Sequence, residues 1–112
     1  MILDSSIIYK ILRDEEWDSF QATCEFRGPP VDLEDGFIHF STSGQVAETA
    51  REHFYDLEEF WLVAVDPTGM TELKREPSRG GALFPHLCGT LSISSVKEYR
   101  RISKSNGEFD FH

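Results

Sequence analysis

The side chains best suited to chemistry gather in two short segments of this chain. The first is Gly36 to Gln45, GFIHFSTSGQ; the second is Arg75 to Gly89, REPSRGGALFPHLCG. In the first, His39 offers an imidazole that can hydrogen-bond a ligand or move a proton near neutral pH. Ser41, Thr42 and Ser43 place hydroxyls at a predicted helix start, where free backbone N–H groups and the positive dipole end favour phosphate or ribose. In the second, Arg79 beside Gly80 and Gly81 suits an anion: glycine lets a ligand approach the backbone, and the guanidinium forks onto it. Glu76 has the chemistry of a general base, and Pro85 sets a second imidazole, His86, in a rigid frame. The two segments are expected to form one site, with His39, Ser41, Thr42 and Arg79 holding the ligand and His86 and Glu76 at the reacting end.

A plain structural reading stands beside this one. Thr42 and Ser43 serve equally well as helix caps, His39 as a satisfied strand residue, and the second segment as a surface turn with solvated charges. Other chemistry finds little support. No G-x-S-x-G, GxxxxGK[ST] or GxGxxG occurs, which sets aside the nucleophile elbow, the P-loop and the dinucleotide fingerprint. His39, His53, His86 and His112 lack metal-ligand spacing, so no metal site is expected. Cys24 and Cys88 form no CxxC pair and suggest a reducing compartment.

The elements that must position these residues follow from the hydropathy pattern. The chain has 112 residues, 39% of them hydrophobic, with nine Phe, which suits one domain with a real core. Ile7 to Leu12 is β-branched and aromatic and predicts a first strand. Asp14 predicts a helix start, with Trp17 and Phe20 on its buried face. Phe37 to Ser41 reads as one strand whose alternation sends Phe37, His39 and Ser41 to the same face. Thr42 and Gln45 fit a capping box, predicting a helix from Ser43 to about Tyr55 that buries Val46, Ala50 and Phe54. Phe60 to Val65 is apolar on both faces, as in a central strand. Leu73 to Glu76 reads as a partly exposed strand, and Leu83 to Leu87, interrupted by Pro85, as an edge or irregular one. Leu91 to Ile93 and Val96 to Ile102 complete the strands. Residues 1–102 are expected to form a single domain and 103–112 a loose polar tail, with Phe109 and Phe111 able to dock it. Strands and helices mix without βαβ alternation, so the fold class is α+β.

The net charge of −9 opposes phosphate backbones and anionic membranes, so neither nucleic acid nor membrane is an expected partner. The longest apolar run, Phe60 to Val65, is too short to span a bilayer, and Met1 to Asp4 lacks a basic signal-peptide region. A cytoplasmic protein is expected.

These residues closely resemble a known family, domain of unknown function 952. The resemblance covers roughly Ile8 to Val96. It is carried by Ile8-Tyr9-Lys10-Ile11 with Trp17, and by Val31-Asp32-Leu33 leading to Asp35-Gly36-Phe37-Ile38-His39-Phe40-Ser41-Thr42. Gln45-Val46, His53-Phe54, and Glu76 through Arg79-Gly80-Gly81 to Phe84-Pro85-His86-Leu87 complete it. The family usually has a tyrosine where this chain has Cys88. The resemblance implies a small α+β fold similar to that of ADP-ribosyltransferases, which hold NAD in a cleft between two small sheets. His39 with Ser41 and Thr42 looks like the element that holds a ribose there. The catalytic glutamate of many such transferases lies later in the chain than Glu76, and Glu98 has no supporting motif. The resulting expectation is a small-molecule ligand, NAD or a nucleotide derivative, bound in a cleft, with transferase-like chemistry. The alternatives are a non-catalytic interaction or sensing module and a His-dependent hydrolase or phosphodiesterase.

Overall fold

The computed structural model describes residues 4, 6–26, 38–68, 73–77, 83–87 and 91–111, with backbone alone for 74–77, 83, 84 and 86. Along the chain these form β1 (Ile8–Leu12), α1 (Asp14–Thr23), β2 (Glu25–Phe26), β3 (Ile38–His39), β4 (Ser41–Thr42) and α2 (Val46–His53). There follow β5 (Glu59–Val65), β6 (Leu73–Pro77), β7 (Leu83–Leu87), β8 (Leu91–Ser92), β9 (Val96–Ser105) and β10 (Glu108–Phe109), with a 3-10 turn over Ile93–Ser95. One sheet runs β10-β9-β5-β1-β4, a second β3-β7-β6, and β2 pairs with β8. The pairings are antiparallel. The protein is a small mixed α+β domain.

Alternation along β1 and β5 builds a core on each side of the larger sheet. Ile8, Leu12, Val63 and Val65 point to one side, where α1 covers them with Trp17 and Phe20 and the smaller strands add Ile38, Phe26, Leu87 and Leu91. Tyr9, Ile11, Leu62 and Ala64 point to the other, where α2 packs Val46 and Ala50. Phe60, fully buried, meets the rings of Phe109 at 4.7 Å and Phe111 at 6.1 Å. Burying a side chain of this size stabilises by about 1.5–3 kcal/mol. Helix α1 opens with the Arg13 N–H donating to Glu16 Oε1 (2.9 Å) and closes at Cys24, whose left-handed backbone (φ 64°) lets its N–H reach the Phe20 carbonyl.

The structure corrects four local expectations. Residues 38–41 are not one strand: the chain leaves the small sheet at Phe40, and Ser41 begins the edge strand of the large one, while Phe37 lies outside the described residues. His39 and Ser41 therefore do not share a face, because they lie in different sheets. Helix α2 begins at Val46 and ends at His53 rather than spanning Ser43 to Tyr55. The reason is a turn over Thr42–Gln45, in which the Gln45 N–H donates to the Thr42 carbonyl (3.1 Å). Strand β7 is the centre of its sheet despite Pro85. The Phe40 N–H donates to the Pro85 carbonyl (2.9 Å), so Pro85 turns its hydrogen-bonding side toward β3 where that strand is already ending. Its missing N–H thus removes nothing from the β6 ladder. Finally, residues 103–111 do not form a loose tail. Ser103–Ser105 extend β9, Asn106 (φ 55°) and Gly107 (φ 82°) make a tight hairpin turn, and β10 returns to bring Phe111 into the core.

Candidate functional site

Strand β3 pairs with β7, and this joins the two polar segments. The register sets Ile38 opposite Leu87 and His39 opposite His86. Ile38 and Leu87 are both buried in the core between the sheets. Alternation then gives His39 and His86 the opposite face of the small sheet. The bond between Phe40 and Pro85 marks that pair as hydrogen-bonded, so the neighbouring His39–His86 pair is of the non-hydrogen-bonded kind. Opposed residues come closest at such pairs, with Cα atoms roughly 4.5 Å apart.

On the far side of β7, Lys74 stands opposite His86 and Glu76 opposite Phe84. Lys74, His86 and His39 thus form one row across all three strands. Glu76 lies two residues along β6 from Lys74 and so falls on the same face. Arg79 lies outside the described residues.

His39 itself is half-buried. In a non-hydrogen-bonded pair its carbonyl points away from β7, to the open edge of the sheet. There it accepts from the ammonium of Lys10 at 2.7 Å. Lys10 comes from the middle of β1, on the face that carries Ile8 and Leu12, and is only 9% exposed. Sequence reasoning missed this residue. The available signal was a single charge inside Ile7-Ile8-Tyr9-Lys10-Ile11-Leu12, an apolar run that must be buried on both faces. Lys74 had no such signal, since only the register places it beside His86.

The remaining predicted ligand contacts are set differently. Ser41 stands opposite Tyr9 and therefore faces the α2 side of the large sheet. It is 6% exposed, and its hydroxyl donates to Thr49 Oγ1 of α2 at 3.1 Å, fixing that helix to β4. Thr42 is half-buried, opposite Ile8, and its N–H donates to Gln45 Oε1 at 3.1 Å. The turn thus uses groups that the sequence assigned to a ligand at the helix start. A separate polar depression of about 260 Å³ lies on the Tyr9 and Ala64 face of the large sheet, lined by Asp4, Ser6, Tyr9, Asp66, Lys97 and Glu98 among others. It contains none of the predicted site residues. There the Asp4 N–H donates to the Tyr9 hydroxyl (2.7 Å), and burial raises the pKa of that hydroxyl above its usual value. Among the described residues no cluster of three His, Cys, Asp or Glu could hold a metal ion, and no helix is long and apolar enough to cross a membrane.

A family model described as "Protein of unknown function (DUF952)" matches residues 11–99. The chain belongs to the DUF952 family. Its fold is similar to the crystal structure of protein CC0527 from Caulobacter crescentus, with 42% identity, 93% of each chain covered and a TM-score of 0.86. The solution structure of CC0527 is similarly close, at 41% identity and a TM-score of 0.83, covering 93% of this chain and 90% of that one. No curated protein matches. The family and these relatives therefore fix the fold.

Proposed function

We propose that this DUF952 protein binds a nucleotide-derived small molecule, of the NAD or ADP-ribose kind, on the face of the small sheet that carries His39, His86 and Glu76. The observation behind this reading is the His39–His86 register, which brings residues 47 positions apart in sequence directly opposite one another. Two histidines at facing register positions, with a glutamate on the same face of the sheet, supply the residue types that acid–base group transfer or hydrolysis requires. The sequence resemblance implies a fold similar to that of ADP-ribosyltransferases, which hold NAD between two small sheets, and that expectation guides the choice of ligand. In this reading His39 meets ribose or phosphate, Arg79 meets an anionic group, and His86 and Glu76 serve the reacting end, while Thr42, in the large sheet opposite Ile8, belongs to its turn with Gln45. Ser41 contributes indirectly, by holding α2 against β4.

Thermal unfolding with NAD, ADP-ribose, AMP and adenosine tests the proposal. Ligand at a hundredfold excess over its Kd adds about 2.7 kcal/mol, a shift on the order of 10 °C for a domain this small. His39→Ala should shrink that shift, and the exposed helix change Glu48→Gln should not. No stabilisation and no NMR change at His39 with millimolar ligand would end the nucleotide reading.

The opposed histidines also favour a second reading, hydrolysis of a small phosphodiester with one imidazole as base and the other as acid. It predicts a bell-shaped pH–rate profile that collapses in either His→Ala variant.

A further inference from the structure

The polar depression on the large sheet is built on a cross-strand row. Tyr9 of β1 stands opposite Ala64 of β5, and Ala64 opposite Glu98 of β9. The three share one face, and the small Ala64 side chain between two long ones leaves a hollow. From Tyr9 to Glu98 the row covers two inter-strand spacings, on the order of 10 Å. A β-bulge adds a cation to the rim. Beyond Ala64 and Glu98 the ladder pairs Val65 with Val96, so Lys97 is an extra residue in β9. Consecutive residues of a regular strand face opposite sides. At the bulge Lys97 and Glu98 both line the hollow.

Two donors in this wall lack acceptors. Tyr9 is 2% exposed, and its oxygen accepts from the Asp4 N–H at 2.7 Å. That contact uses the oxygen and leaves the proton. Among the described residues no acceptor meets the Tyr9 proton, and no carboxylate lies within ion-pair distance of the Lys97 ammonium. A buried O–H without an acceptor carries a desolvation cost that phenylalanine at the same position would avoid. The acids of the wall are held ionised. Asp4 and Asp66 each accept through Oδ1 from the backbone N–H two residues on, which lowers both carboxyls, and the Lys97 ammonium adds a smaller pull. Asp4, Asp66 and Glu98 do not gather into a group that could hold a metal ion.

We propose that this hollow binds a small zwitterion, an α-amino acid with a neutral or basic side chain. The Tyr9 O–H and the Lys97 ammonium donate to its carboxylate, and Asp4, Asp66 and Glu98 receive its ammonium. A simple amine would leave both donors unmet, and a simple anion would face the acids with nothing to offer them. Three carboxylates against one ammonium also leave the lining negative, which turns away an acidic side chain. The hollow shares no residue with the face of His39 and His86 and lies on the other sheet, so either proposal can fail alone.

The test titrates the full chain, isotope-labelled, with L-arginine, L-alanine and L-glutamate. NMR follows the Tyr9 ring, the Ala64 methyl and the Lys97 ε-carbon. The expected result is a saturable change at all three with arginine and alanine, and glutamate weaker than arginine by roughly tenfold or more. Lys97→Met and Tyr9→Phe should each lower arginine affinity roughly tenfold, the loss of one hydrogen bond to a charged group. Methylammonium, which lacks the carboxylate, should bind more weakly than alanine. Lys97 is exposed, so Lys97→Met decides the matter if Tyr9→Phe does not fold. Four results would overturn the site: no saturable change at millimolar arginine, full affinity in Lys97→Met, methylammonium binding as tightly as alanine, or glutamate binding as tightly as arginine.

Discussion

Lys10 and His39, 29 residues apart in sequence, are joined by an ammonium-to-carbonyl hydrogen bond of 2.7 Å that ties the large sheet to the open edge of the small one. A strand edge leaves carbonyls without ladder partners, and one that lies between two packed sheets must be satisfied by something else. Here a buried lysine does it. Lys10→Met keeps the apolar stem but removes the donor, so the carbonyl loses its partner. The expected cost is about 1–3 kcal/mol in urea unfolding, with faster hydrogen exchange in β3. An unchanged midpoint would show that the bond contributes nothing to stability.

His39 and Phe60 should respond oppositely to truncation. His39 is half-buried at the rim of its sheet, and His39→Ala should change stability by no more than about 1 kcal/mol. Phe60 is fully buried among the rings of Phe54, Phe109 and Phe111, and Phe60→Ala should cost about 3–5 kcal/mol through the cavity it leaves. Chemical denaturation of both variants checks the contrast. Equal losses would make His39 a core residue.

Tyr9 gives the fold an alkaline limit. Burial raises its hydroxyl above the ordinary value of 10.0, with the Asp4 N–H pulling less strongly the other way. The folded pKa exceeds the unfolded one, so the stabilising contribution is complete below the unfolded value. It is lost as pH rises from there through the folded value, because the unfolded chain releases its proton first. Urea midpoints at about pH 8 and about pH 11 should therefore diverge more in the parent than in Tyr9→Phe, which cannot ionise. Equal divergence would assign the alkaline loss to other groups.

The hairpin turn isolates a purely conformational cost. Gly107 has φ 82°, and a Cβ built there meets nothing within 4 Å. Gly107→Ala should accordingly cost about 1–2 kcal/mol from backbone strain alone, without any steric clash. For a domain of this size each kcal/mol lowers the melting midpoint by about 4–8 °C. Signals of His39 should not move, since the turn belongs to the β9–β10 end of the large sheet.

Much of this protein was determined locally. Phe60 to Val65 has no polar face, so it had to be an interior strand, and it is. Trp17 and Phe20 are three apart, so α1 had one face to bury, and both are buried. The polar segments around His39 and His86 were visible as residue types that a core does not need. Tertiary structure alone decided their relation. Sequence could not show that the chain changes sheets at Phe40, because Ile38-His39-Phe40-Ser41 alternates as well across the break as along a single strand. Nor could it show Pro85 at the centre of a sheet, since that depends on which neighbour its missing N–H would have faced. Lys10 at the carbonyl of His39, and Lys74 opposite His86, follow from strand order and register. Both are fixed by how the buried faces of distant segments fit together, which no local pattern encodes.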